Sequence, residues 1–266
     1  MIDTIFSLLP ESFPWKSRII WLDTIDSTND RAKRLAAQGA ENGTALIAGQ
    51  QIGGRGRLGR SFLSPQGQGL YLSVILRPGC KPEDLMHLTC AVAVAACDAV
   101  EKAAGFRPQI KWTNDLVWNG KKLGGILTEL SVCPKSGVVD YAVVGIGINC
   151  LQKAEDFPPE LQDMASSLSA VAGREVFPAV LAAEMLRSLE NLSKTLLTEK
   201  AELMAIYRKD CITIGREIVV VTPTQKQYGT AVSLDDNGGL NVAFADGEIR
   251  TVTAGEVSIR GMYGYL

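Results

Sequence analysis

The sequence predicts an α+β protein: a mixed β-sheet with packed helices over residues 1–211, then a small β-barrel over residues 212–266. Three observations carry that expectation. Strand-like apolar runs at 44–48, 70–76 and 138–148 are separated by a long helix-spaced segment at 82–104. Asn119-Gly120 lies between two further strand-like runs and signals a hairpin. From Ile214-Gly215 onward there are four short strand-like runs, 217–221, 228–234, 240–245 and 248–252. Turn signals at Pro223, 235–239 and Asp246-Gly247 part them.

Taken in order, residues 21–25 alternate weakly and read as a strand, ended by Asp26-Ser27-Thr28-Asn29-Asp30 ahead of a good helix sequence, 31–37. Ser, Thr, Asn and Asp all cap helices, and one helix needs a single cap. The cluster therefore reads either as capping alone or as capping plus ligand contacts at a helix N-terminus. Residues 50–60 hold four glycines and three arginines between two apolar strands, so they form a loop. Glycines allow close backbone approach, and arginines offer forked donors for phosphate or carboxylate. Gly54, Gly56 and Gly59 also match G-x-G-x-x-G, but Pro65 and Gly67 break any following helix. No acid occurs between Ser61 and Arg77, so the dinucleotide reading is rejected. A solvated linker is the bland alternative.

The segment 82–104 opens with Pro and two acids, carries Leu85, Leu88, Val92, Ala95, Ala96 and Ala99, and ends at Gly105, as expected of a buried helix. In 110–118, Lys111, Asn114 and Asp115 interrupt Trp, Leu and Val, which is costly without partners. Lys121 and Lys122 fit a charged hairpin edge. Gly124-Gly125 inside the next strand mark close approach by a ligand or another backbone. Gly145 and Gly147 in the 138–148 strand place that strand beneath a site. After a loop at 155–159, a long helix with one charged face is expected over 180–207, with no evident chemistry.

Composition narrows the function. With 266 residues, 46% hydrophobic content and a formal charge of −2, the chain is globular; a pI near 5.6 argues against a dedicated nucleic-acid binder. No run of about 18 apolar residues signals a membrane span. The six cysteines lack C-x-x-C spacing and read as reduced thiols of a cytoplasmic protein. The single histidine, His87, falls in the helical segment and leaves little room for histidine triads or His-rich metal sites.

With these pieces in order, the chain resembles the biotin protein ligase family along nearly its whole length. The matching motifs are Asp26-Ser27-Thr28-Asn29, Gln51 through Arg60, Leu70-Tyr71-Leu72-Ser73, and Lys111-Trp112-Thr113-Asn114-Asp115-Leu116. Lys122-Leu123-Gly124-Gly125-Ile126-Leu127, Gly145-Ile146-Gly147-Ile148-Asn149 and Gly255-Glu256-Val257-Ser258 complete them. The resemblance implies a class II synthetase-like core followed by an SH3-like barrel. It implies a reaction in two steps: biotin and Mg-ATP give biotinyl-5'-adenylate, which then acylates one lysine of a biotin carboxyl carrier domain of the acetyl-CoA carboxylase type. It assigns Ser27, Thr28, Asn29 and Gln51 to the biotin ring, and Gly54, Arg55, Gly56, Arg57, Lys122, Gly124 and Gly125 to the remainder of biotin. Arg55, Arg57, Arg60, Lys111, Asn114, Lys122 and Asn149 would hold ATP or the adenylate. Lys111, Lys122, Asp115 and Arg57 would carry the chemistry, with Asp115 orienting or deprotonating the incoming amine. Mg2+ would arrive with ATP, with no dedicated protein metal site.

The resemblance departs at Thr113, where the family usually has Pro, so the turn loses a fixed φ and gains an N–H. Many members carry an N-terminal helix-turn-helix domain; 26 residues before Ser27 are too few for one, and no sequence-specific DNA binding is expected. The expected protein is a cytoplasmic monomer or homodimer. A lipoate or octanoate transferase of related fold is the rival enzyme, and a nucleic-acid-binding module the rival of another class. The Gly-Arg-Gly-Arg loop favours biotin over the first, and the acidic pI disfavours the second.

Overall fold

The computed structural model describes residues 1–222 and 225–253, and the backbone of a strand at 258–261. After helix α1 (Ile2–Leu8) the chain runs β1 (Ile19–Ile25), α2 (Thr28–Ala37), β2 (Ala45–Gln51), β3 (Gly69–Leu76) and α3 (Leu88–Ala104). It continues through β4 (Gln109–Lys111), β5 (Asp115–Trp118), β6 (Lys121–Val132) and β7 (Val139–Asn149), then α4 (Leu168–Ala172), α5 (Pro178–Thr195) and α6 (Lys200–Asp210). The last strands are β8 (Glu217–Val221), β9 (Lys226–Leu234), β10 (Leu240–Phe244), β11 (Ile249–Val252) and β12 (Ser258–Gly261).

The first seven strands form one sheet in the order β1-β2-β3-β7-β6-β5-β4. β1 and β2 are parallel and every other pair is antiparallel, so the expected mixed sheet is present. Its two faces follow the side-chain alternation of strands. Leu46, Ile75 and Val143 pack with Ala32 and Ala36 of α2 on one face. Ala45, Ile47, Leu72 and Val74 belong to the large core shared with α3 and α5 on the other. α3 is buried almost all round because it lies between the sheet and helices α5 and α6.

Local chemistry sets the element ends that matter for the site. The Ser27 hydroxyl caps α2 by accepting from Asp30 N at 3.4 Å. Gly105, at φ +83°, ends α3 in the left-handed conformation. Asn119 and Gly120, at φ 46° and 78°, turn β5 into β6 as the hairpin signal predicts.

Several expectations are corrected. The long helix expected over 180–207 is two helices, α5 and α6, because the chain turns at 196–199, where the Leu196 carbonyl accepts from His87 Nε2 at 2.9 Å. The segment 82–104 begins with a 3₁₀ turn, Pro82–Leu85, before α3 proper. The α1 helix at the start was not anticipated; Ile5, Leu9, Phe13 and Trp15 bury it and the following loop. The C-terminal part is a five-stranded antiparallel sheet, β11-β10-β9-β8-β12, in which β12 adds a strand to the four expected. The turn signal at Pro223 and the Gly255-Glu256-Val257 part of the last family motif lie outside the described residues.

Candidate active site

Above β7, β6 and the end of β2 lies a cavity of about 750 Å³. Its floor exists because two glycines lack side chains. A Cβ on Gly145 would stand 2.0 Å from Asn29 Oδ1, and one on Gly147 would stand 2.6 Å from the Phe62 ring. At one end the first turn of α2 supplies Ser27, Thr28 and Asn29, all buried. Gln51, the last residue of β2, accepts through Oε1 from Thr28 N (2.9 Å) and Thr28 Oγ1 (3.0 Å), and donates through Nε2 to Ser64 Oγ (3.1 Å). The Ser73 hydroxyl lies 2.6 Å from Asn29 Oδ1 and 2.8 Å from Thr28 Oγ1, while Asn29 Nδ2 donates to Glu129 Oε2 at 3.0 Å. The polar groups of this end thus have fixed orientations, which a ligand with several donors and acceptors requires.

The other end is cationic. Arg57 reaches in from the loop and donates through one guanidinium nitrogen to Thr113 Oγ1 (3.0 Å) and Asn114 Oδ1 (2.9 Å). Burial pushes its guanidinium down from the ordinary value, Asp115 opposing the shift and Arg60 adding to it. Lys111 is 7% exposed at the end of β4. Lys122 Nζ donates to Asp115 Oδ1 at 2.6 Å across the β5–β6 pair. The Lys122 backbone is bound on both sides by the 164–166 segment, donating to Met164 O (2.8 Å) and accepting from Ser166 N (2.9 Å). Asn149 Nδ2 donates to Ser166 O at 3.0 Å.

The loop itself closes back on its own chain, Gly56 N donating to Arg60 O (2.7 Å) and Phe62 N to Gly54 O (2.9 Å). Arg55 pairs with Asp30 at 2.5 Å and Glu129 at 3.5 Å, and Lys33 bridges the same two carboxylates at 3.0 and 2.8 Å. For Asp30 burial works upward, but Lys33 and Arg55 outweigh it and hold the carboxyl below its ordinary value. Burial likewise lowers Lys33, and Glu129 and Asp30 raise it by more. Among the described residues no group of three or more His, Cys, Asp or Glu is placed to hold a metal ion.

Residues 21–149 match the biotin/lipoate A/B protein ligase family, and residues 213–260 match the biotin protein ligase C-terminal domain. The "Bifunctional ligase/repressor BirA" of Bacillus subtilis is 34% identical over 242 residues, 91% of this chain and 74% of that protein. The chain belongs to the biotin protein ligase family. A "Biotin--[acetyl-CoA-carboxylase] ligase" of Mycobacterium tuberculosis is 32% identical over 87% of this chain and 85% of its own length. The solved biotin protein ligase from Aquifex aeolicus, in complex with biotin and ATP, superposes with a TM-score of 0.76 at 31% identity, covering 91% of this chain and 98% of that one.

Against this family background, the structure gathers nearly every residue singled out in the sequence around one cavity. Ser27, Thr28, Asn29, Gln51, Arg55, Gly56, Arg57, Arg60, Lys111, Asn114, Asp115, Lys122, Gly125 and Asn149 line it. Gly54 and Gly124 do not; they are needed behind the wall, where a Cβ would meet Phe62 O at 2.4 Å and Gly147 O at 2.5 Å. The sequence reading missed Phe62, Trp112 and the 163–165 segment, which also line the cavity. It missed Ser73 and Glu129 as well, which hold Asn29 from outside. The Trp112–Thr113 peptide is cis.

Proposed function

We propose that this chain joins biotin to ATP as biotinyl-5'-adenylate and then transfers the biotinyl group to one lysine of a biotin carboxyl carrier domain, of the acetyl-CoA carboxylase type. The observation that carries the reading is the two-ended cavity: fixed uncharged donors and acceptors at the α2 end, and Arg57, Lys111 and Lys122 at the other. The ureido ring of biotin has two N–H donors and a carbonyl, which suit Ser27, Thr28, Asn29 and Gln51. A linear acyl chain has no use for them.

The chemistry follows from the charges. A carboxylate and an α-phosphate brought to 4 Å repel by about 4 kcal/mol at an effective dielectric constant of 20. The first step therefore needs fixed cations more than a protein nucleophile. Arg57, oriented by Thr113 and Asn114, and Lys111 would neutralise the α-phosphate side. Lys122 would hold the carboxylate as one of its oxygens attacks phosphorus and pyrophosphate leaves. Arg55 and Arg60 would contribute from the rim, and the buried Asn149 from beside the nucleotide. Mg2+ would enter as the counter-ion of the ATP phosphates, with Asp115 and Asp163 as the carboxylates lining the cavity. In the second step Asp115, 2.6 Å from Lys122, would attract the acceptor ammonium and take its proton as the amine attacks the acyl carbonyl and AMP leaves.

The test is incubation with labelled biotin, ATP, Mg2+ and an apo carrier domain, expecting adenylate in the absence of carrier and label on one lysine in its presence. Absence of both products would overturn the reading. Adenylation of lipoate or octanoate with none of biotin would move the chain to the other branch of its family.

A further inference from the structure

The segment that carries Lys111, Asn114 and Asp115 is gripped from outside the catalytic sheet. Trp112 N donates to the buried Thr213 Oγ1 at 2.9 Å, and Ile212 N donates to Ile110 O at 2.9 Å. Trp112 Nε1 donates to Gly238 O at 2.8 Å, in the 235–239 turn between β9 and β10. The hydroxyl of buried Tyr207 donates to Thr113 O at 3.0 Å. The turn is in turn fixed to the helices: Arg208 Nε donates to Leu234 O (3.2 Å), Arg208 pairs with Asp236 (2.5 Å) and Lys200 donates to Asn237 Oδ1 (2.6 Å). Gly238, at φ +86°, lies so close to α3 that a Cβ would stand 2.7 Å from Cys90 Sγ.

We infer that the 235–239 turn of the C-terminal sheet is a positioning element of the active site, holding the Lys111–Asp115 segment in register through the Trp112–Gly238 hydrogen bond. The inference rests on the reaction proposed above and gives the C-terminal sheet a part in its first step without contact with either substrate. A catalytic lysine displaced by about 1 Å loses rate by as much as a hundredfold. Biotin's ring, bound at the α2 end, does not feel the displacement. The signature is a fall in kcat for adenylate formation with unchanged biotin affinity.

Gly238→Ala tests this, because Gly238 lines no part of the cavity and the added methyl group, 2.7 Å from the buried Cys90 Sγ, must displace the turn or that thiol, which packs beneath the turn. Gly247→Ala is the control: Gly247 has φ +85° in the β10–β11 turn, with nothing within 4 Å of an added methyl. The two variants share the backbone penalty of a left-handed alanine and differ in the contact. Gly238→Ala and Trp112→Phe, which keeps the ring and removes the donor, are expected to lower kcat about ten- to a hundredfold with the biotin dissociation constant within about twofold. Gly247→Ala is expected to retain the wild-type kcat. Both effects should appear as faster amide exchange at 110–116, read by mass spectrometry without turnover. Equal kcat in the two glycine variants, or unchanged exchange at 110–116 in Gly238→Ala and Trp112→Phe, would overturn the inference. If the wild-type chain forms no adenylate, the proposed reaction fails, and the exchange measurement still decides the positioning role.

Discussion

At Gly145 one methyl group separates an open cavity floor from an obstructed one. The methyl of Gly145→Ala would stand 2.0 Å from Asn29 Oδ1, and Asn29 cannot retreat because Ser73 and Glu129 hold both ends of its amide. Displacing it leaves buried polar groups without partners, at about 1–3 kcal/mol each. Biotin affinity is expected to fall at least about tenfold, measured by calorimetry on protein whose near-ultraviolet circular dichroism confirms the fold. Arg57 acts at the other end. Its guanidinium is partly buried and aimed by Thr113 and Asn114, so in the proposed role it would meet a phosphate with little further ordering. Arg57→Ala removes charge-assisted hydrogen bonds worth about 1.5–3 kcal/mol, and adenylate release should quicken about ten- to a hundredfold, with biotin appearing on bystander amines. An unaltered adenylate off-rate would remove Arg57 from that role. Asp115→Asn separates the two steps. It should slow transfer to the carrier more than adenylate formation in single-turnover measurements, and equal slowing would argue that Asp115 serves only to place Lys122.

Among the elements, the Gly/Arg loop depends on the helix beside it. Arg55 ties the loop to Asp30 in the first turn of α2 and to Glu129 on β6, the same Glu129 that holds Asn29. The loop and the α2 end of the cavity therefore share one support. Such partly exposed pairs are each worth about 0–1 kcal/mol and are screened by salt, so the closed loop is a modestly favoured state. Trypsin should cut after Arg55, Arg57 and Arg60. Biotin with ATP should suppress cutting, and Asp30→Asn or about 1 M salt should raise it a few-fold. The sign of the pH effect follows from Asp30, whose carboxyl is held below its ordinary value. The pairing is fully present above the usual aspartate range and is lost as pH falls through the lowered value, so cutting, taken relative to an unstructured control peptide that reports trypsin's own activity at each pH, should not vary between about pH 5 and 8. A steep change inside that window would assign the latch to another group.

For the molecule as a whole, what was legible in the sequence was local chemistry, and what was hidden was tertiary. Asn119-Gly120 announces its hairpin because few residues adopt φ > 0 twice in succession, and Ser27 to Asn29 exceed what one helix cap requires. Ser73 and Glu129 look like ordinary strand residues until β3 and β6 bring them to Asn29. The turn between α5 and α6 carries no Gly or Pro at 196–199; besides its local backbone bonds it is held by His87, a partner more than a hundred residues away in sequence. That contact also bears on the pH dependence of stability. His87 is fully buried, its Nε2 donates to Leu196 O, and its Nδ1 has no partner. Burial lowers its pKa, the Leu196 carbonyl opposing and Lys200 adding to the shift. A base with a lowered folded pKa is protonated more readily in the unfolded chain, so stability is full above the ordinary histidine value of about 6.5 and declines as pH falls from there towards the lowered one. The slope for one proton is at most about 1.4 kcal/mol per pH unit. With a single histidine in the chain, the unfolding midpoint in urea should drop between about pH 7.5 and 5.5, and His87→Gln should flatten that dependence while lowering stability at neutral pH. The same slope in His87→Gln as in the wild type would transfer the effect to the carboxylates and leave His87 a packing residue.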